Sequence, residues 1–193
     1  MSHLELFTDG GAIKIGKKFY GSSAYVIKFQ KKYITSTSIV EEGTNNYYEL
    51  RAIRDGLRKI TKGWTCDKDL EVWIISDSEY SIKCITKWSK TWKKRNGVYY
   101  NSMGKPVANM DLILEIHELL KGIKNYKFLK VKSHISTDLE ETYLKFIKKN
   151  RIEMSFPEYL YMIRFNELCD ENIRKVFNQK RKEIAQKEGR VLV

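Results

Sequence analysis

The sequence predicts an α/β domain: an antiparallel three-stranded meander followed by alternating helices and strands. Three observations carry this reading. Short apolar and β-branched segments separated by turn residues occupy the first forty positions. Leu50, Ile53, Leu57 and Ile60 then recur at spacings of three and four, which makes one apolar helical stripe. Finally, the apolar run Leu70 to Ile75 is followed by a helical pattern and later by another strand. Strand, helix, strand implies parallel pairing through a right-handed crossover.

Taken in order, Leu4, Leu6 and Phe7 alternate into Thr8-Asp9-Gly10-Gly11. The paired glycines are expected to end the first strand in a turn, leaving Asp9 where a buried strand meets the surface. A short loop carries Lys14, Lys17 and Lys18, and Phe19 to Phe29 forms the second strand. Lys31-Lys32 turn the chain into a third, Tyr33 to Val40, which Glu41-Glu42-Gly43 close. Thr44 or Asn45 can cap the helix that follows, with Glu49 one turn inside it. The fourth strand ends at Ser76-Asp77-Ser78, and a helix starts at Glu79 and runs to about Trp88. Asn109 can cap a helix with Leu112, Ile116, Leu119 and Leu120 on its apolar face, and Tyr126 to Val131 is a fifth strand. Asp138 to Lys149 has a helical pattern. Ser155, Pro157 and Glu158 then mark a strong helix start, and Phe165 to about Lys187 is helical.

Composition narrows the class. The chain carries 36 Lys and Arg against 24 Asp and Glu, a net charge of +12 that suits a polyanionic partner, nucleic acid first. No apolar run reaches the length of a membrane span, and the N-terminal residues lack a secretory pattern, so a cytoplasmic protein is expected. The three cysteines, Cys66, Cys84 and Cys169, include no Cys-x-x-Cys pair, which argues against structural zinc and against a disulfide scaffold.

Four carboxylates stand out by position. Asp9 and Asp77 terminate strands, while Glu49 and Asp170 lie on helices beside apolar positions. Asp-Gly is ordinary turn chemistry, and each acid alone is explained structurally. Gathered together they would repel one another and need cations. Oxygen ligands without His or Cys select magnesium, or manganese in its place, and two such ions suit phosphodiester hydrolysis.

Thr8-Asp9-Gly10-Gly11, Thr44-Asn45-Asn46-x-x-Glu49-Leu50, Ser76-Asp77-Ser78-x-Tyr80 and Asn166-Glu167-x-x-Asp170 together resemble the ordered motifs of type 1 ribonuclease H. The stretch from Trp88 to Leu112 resembles the basic protrusion of the bacterial enzymes. The resemblance implies a ribonuclease H-like fold: a five-stranded mixed sheet of order 3-2-1-4-5 with helices on both faces. It implies an endonuclease that hydrolyses the RNA strand of RNA/DNA hybrids with two magnesium ions on Asp9, Glu49, Asp77 and Asp170, leaving 5′-phosphate and 3′-hydroxyl ends. It further implies substrate contacts from Gly11, Thr44, Asn45, Asn46, Glu79, Trp88, Trp92, Lys93, Lys94 and Arg95, and a catalytic histidine at His134.

Two departures accompany the resemblance. Glu79 stands where many bacterial members carry glutamine, and residues 135 to 165 separate His134 from Asn166, where the family has only a handful. The chain thus reads as one ribonuclease H domain over 1–193, with a basic protrusion at 88–108 and a helical insertion at 137–164, acting as a monomer. The insertion's apolar residues are expected to form a small helical cap beside the active site. Integrase-like enzymes of the same fold usually lack the Thr-Asn-Asn-x-x-Glu-Leu helix start, and a plain basic binding module has no need of four carboxylates at element ends.

Overall fold

The structure, a computed structural model, describes residues 3–63, 70–132 and 138–187. A long hairpin opens it: β1 (His3–Ile15) and β2 (Lys18–Phe29) pair antiparallel over their whole length, from Leu4 opposite Phe29 to Ile15 opposite Lys18. Then come β3 (Lys32–Thr37), the two-residue β4 (Glu41–Glu42), α1 (Asn45–Gly63) and β5 (Glu71–Ser76). They are followed by α2 (Glu79–Thr86), a 3-10 turn at Trp88–Thr91, and the hairpin β6 (Lys93–Arg95) and β7 (Val98–Tyr100). The chain continues through α3 (Met110–Lys121), β8 (Asn125–Lys130), α4 (Leu139–Asn150) and α5 (Phe156–Lys187). The main sheet runs β3-β2-β1-β5-β8, with β4 added on β2. This is the 3-2-1-4-5 path of the sequence reading, with β5 parallel to both β1 and β8. Among the described residues no helix is long and apolar enough to cross a membrane.

Period-two alternation assigns the strand residues to two cores. Leu4, Leu6, Val72 and Ile74 face α1, α2 and α3, where they meet Leu50, Ile53, Leu57, Ile60, Cys84 and Ile116. Phe7, Trp73, Ile75 and Leu129 face the other way, onto Phe146 of α4 and Tyr159, Met162, Cys169 and Ile173 of α5. Helices therefore cover both faces. Each fully buried Leu, Ile or Phe contributes about 1.5–3 kcal/mol of transfer free energy.

Four details differ from the sequence reading. First, β1 does not end at Gly10-Gly11 but continues to Ile15, so Asp9 lies inside a strand and Lys14 is a strand residue. The glycine is there for approach rather than for turning. A Cβ on Gly10 would stand 2.2 Å from the backbone of Tyr48 and Glu49, so only glycine lets α1 cross β1 at that point. Gly21 on β2 does the same for the Tyr48 ring, 2.0 Å from its would-be Cβ. Second, the third strand stops at Thr37, and Glu41–Glu42 form a strand of their own on β2.

Third, Asn109 sits at the start of α3 in a left-handed conformation (φ 56°), and its side chain makes no capping hydrogen bond. Fourth, the two helical patterns of the insertion behave differently. α4 is a separate helix whose cap, Asp138, accepts from the Glu140 and Glu141 amides. The second pattern starts at the expected box, where the Glu158 amide donates to Ser155 Oγ and the Ser155 amide to Glu158 Oε2. It then continues without a break through Asp170 to Lys187, as one 32-residue helix. No proline or glycine interrupts it after Pro157, and Tyr159, Met162 and Ile163 share the buried face of Cys169 and Ile173.

Candidate active site

Backbone pairing brings the first two acids together. Parallel pairing sets Thr8 opposite Ser76, and the Thr8 hydroxyl donates to the Ile75 carbonyl at 3.3 Å. Asp9 and Asp77 each follow by one residue, so they lie side by side near the carboxyl end of β5. Beyond Asp77, Ser78 caps α2 by accepting from the Ser81 amide, which fixes the exit of the chain. The Val131 amide donates to the Ser76 carbonyl at 3.1 Å, so the end of β8 is tied to the same point.

The third acid comes from α1. The close crossing at Gly10 places Glu49 over Asp9, and the Ala12 amide donates to Asn45 Oδ1 at 3.2 Å, pinning the start of the helix to β1. Thr44 caps that helix, its hydroxyl oxygen accepting from the Tyr47 amide at 3.4 Å. One carboxylate oxygen from each of Asp9, Glu49 and Asp77 lies within 4.8 Å of the others. Asp170, from α5, lines the same cavity of about 330 Å³ but stands outside that triad. Its Oδ2 accepts from Arg174 Nη2, one turn on, at 2.5 Å. Cys169 beneath it is fully buried, with its thiol directed at the Phe7 carbonyl at 3.7 Å, which seats α5 on β1.

The electrostatics follow from this crowding. Burial first, then the charges of Asp77 and Asp170, push the Asp9 carboxyl up to about 7; the Gly10 amide, donating at 2.8 Å, and Arg174 oppose the rise. Glu49 is raised well above its ordinary value by burial and by Asp9 and Asp77, against hydrogen bonds from Gly10 and Asn45. Glu49 Oε2 is buried with no hydrogen-bond partner among the described residues. A buried carboxylate oxygen without a donor is costly unless a cation faces it. The donor set is all hard oxygen, so these residues fit a magnesium-type ion.

The other sequence-predicted residues divide. Gly11 and Asn45 line the acidic cavity. Thr44 lies instead in a shallow depression with Tyr47 and Asn109, and Asn46 is exposed at the start of α1. Glu79 is an ion-pair hub, its two oxygens on Lys83 (2.5 Å) and Lys130 (2.6 Å), and these partners pull its carboxyl down to about 2. Trp88, Trp92, Lys93, Lys94 and Arg95 do not line the cavity; Trp88 opens the 3-10 turn, Trp92 links it to the hairpin, and Lys93, Lys94 and Arg95 form β6. Of these, Lys93, Lys94 and Arg95 are exposed, Trp88 is 37% exposed, and Trp92 packs against the first core. His134 lies outside the described residues.

Sequence reasoning missed Lys132, Asn166, Glu167 and Arg174 as cavity residues. Arg174 was within reach, since it stands four residues after Asp170 on a helix.

A mixed sheet of this path, with carboxylates converging beside its two central strands, defines a nuclease of the ribonuclease H fold. Comparison with known proteins gives the family. The RNase H family profile matches residues 1–178. Ribonuclease HI of Haemophilus influenzae is 33% identical over 128 residues, covering 66% of this chain and 77% of that protein. Ribonuclease H of Erythrobacter litoralis is 35% identical over 127 residues, covering 66% and 79%. Among solved structures, LC11-RNase H1 in complex with an RNA/DNA hybrid superposes with a TM-score of 0.53 at 18% identity, over 90% of this chain and 99% of that one. The chain belongs to the RNase H family, as a type 1 ribonuclease H and a nuclease hydrolase.

Proposed function

We propose that this enzyme hydrolyses the RNA strand of RNA/DNA hybrids, leaving 5′-phosphate and 3′-hydroxyl ends. The observation that carries the reading is the convergence of Asp9, Glu49 and Asp77 within 4.8 Å. Asp170 completes the wall of the same cavity. These four would hold two magnesium ions, or manganese, which when bound activate a water and stabilise the leaving oxygen. The chain's own part is to hold the carboxylates rigid. The Gly10 amide and Asn45 fix the orientation of Asp9 and Glu49, and Arg174 holds Asp170 to one side.

Thr44, Asn45 and Asn46 at the start of α1, and Gly11 on β1, are assigned to the sugar-phosphate backbone, which small and polar groups suit. Lys93, Lys94 and Arg95 are assigned to the DNA strand, with Trp88, part-exposed beside Tyr80 and Lys83, at the same edge and Trp92 anchoring the hairpin through its core contact. Glu79 borders the substrate path, and His134 is assigned to proton transfer or product release. We read residues 1–193 as one ribonuclease H domain, with the protrusion at 88–108 and the insertion at 137–164. A monomer suffices, because a single chain supplies all four acids. The free, buried Cys84 and Cys169 suit a reducing, cytoplasmic setting.

The test is a panel of labelled RNA/DNA hybrid, single-stranded RNA, duplex RNA and duplex DNA, with magnesium or with chelator. Only the hybrid should be cut, and only with metal. Asp77→Asn should bind hybrid but not cut it; cleavage by that variant at near wild-type rate would remove Asp77 from the site.

A further inference from the structure

We propose that α4 and the end of β8 build a second cavity, beside the acidic one, that binds a phosphate neighbouring the scissile phosphate in the strand being cut. The proposal rests on the hydrolysis of a nucleic-acid strand argued above. This cavity has a volume of about 340 Å³, roughly ten times the share of one water molecule in the liquid. Lys130, Lys132, Lys145 and Lys149 line it, against only Glu141 and Asp77, which leaves two positive charges in excess. Lys130 is engaged by Glu79 at 2.6 Å and Lys145 by Glu141 at 2.7 Å. Lys132 and Lys149 have no ion-pair partner among the described residues. Beneath the cations the wall is buried, formed by Val131, Phe146 and Tyr159, whose hydroxyl has no hydrogen-bond partner among the described residues.

Continuity identifies the ligand. Asp77 and Lys132 line both cavities, so the basic cavity and the acidic one share a wall. A strand laid across the carboxylates passes next into the lysines. The pairing of signs is useful: the acids must accept one phosphate only with their cations, while an adjacent cluster of lysines attracts the next phosphate unaided. Lysine ammonium groups on flexible stems act as point charges, which suits a phosphate held by charge rather than by a fixed fork of donors. α4 belongs to the segment between β8 and α5, so the insertion acquires a task in placing the substrate.

The test uses the full chain and hybrids whose RNA carries a single uncharged methylphosphonate, moved one linkage at a time. Wild-type enzyme should show a raised KM when the neutral linkage occupies one position near the cut. The double variant Lys145→Ala/Lys149→Ala changes exposed side chains and should fold normally. It should raise KM several-fold and leave kcat at saturation unchanged. It should also lower the salt slope by about 1 and lose the penalty at that one position. Lys145→Arg/Lys149→Arg should restore wild-type behaviour. An unchanged KM and salt slope would overturn the proposal. A raised KM with the positional penalty intact would overturn it too, since that is the effect of net charge without a built site. A wild-type enzyme that cuts no hybrid overturns the parent reading instead, and this proposal with it.

Discussion

Asp9→Asn, in the absence of metal, should make the protein more stable at pH 8 while abolishing its activity. The Asp9 carboxyl is held at about 7, against 3.8 in an open chain, chiefly by burial and then by Asp77 and Asp170. Its folded value is above its unfolded one, so the folded state binds the proton more tightly. The associated stability is complete below about pH 4 and is lost as pH rises through 7. The difference corresponds to up to about 4 kcal/mol at 1.36 kcal/mol per pH unit. Asparagine keeps the shape and removes the charge. At roughly 2–4 °C per kcal/mol for a domain of this size, the variant should melt up to about 8–16 °C above wild type at pH 8 in chelator. The gap should close towards pH 4. Added magnesium should reverse the order, because an ion that binds only the folded state stabilises wild type by mass action and has lost a ligand in the variant. Thermal unfolding followed by circular dichroism from pH 4 to 8, with chelator and with magnesium, reads all of this. A variant less stable than wild type at pH 8 in chelator, or a gap independent of pH, would refute the account of Asp9 as a strained, cation-seeking carboxylate.

Two further outcomes follow from the packing and the charge. Gly10→Ala places a methyl 2.2 Å from the backbone of α1, so it should cost about 1–3 kcal/mol and depress cleavage by more than the lost stability explains, because Glu49 moves; wild-type melting and activity would contradict the close crossing. Replacing Lys93, Lys94 and Arg95 together with alanine should weaken hybrid binding, lower its salt slope by about 2–3 and spare kcat at saturation; an unchanged slope places the DNA strand elsewhere.

The sequence by itself determined the order of the five main-sheet strands and of the helices between them, though not β4 or the β6–β7 hairpin, because periodicities of two and of three to four are local and Leu4, Leu6, Leu50, Ile53 and Leu57 display them openly. The motif resemblance supplied the sheet order, which periodicity cannot. What remained hidden depended on neighbours distant in the chain. Gly10-Gly11 reads as a turn until α1 is seen crossing there, since the need for glycine arises from the backbone of Tyr48 and Glu49, almost forty residues away. The insertion reads as a cap, yet its last nine residues are the first turns of α5, because Tyr159 and Met162 find the same sheet face as Cys169. Glu79 reads only as an acid standing where many bacterial members carry glutamine, and only the fold sets Lys83 and Lys130 on its two oxygens. The acids that converge on the cavity were thus legible, whereas which charges meet, and at what distance, was decided by packing between segments that the chain keeps far apart.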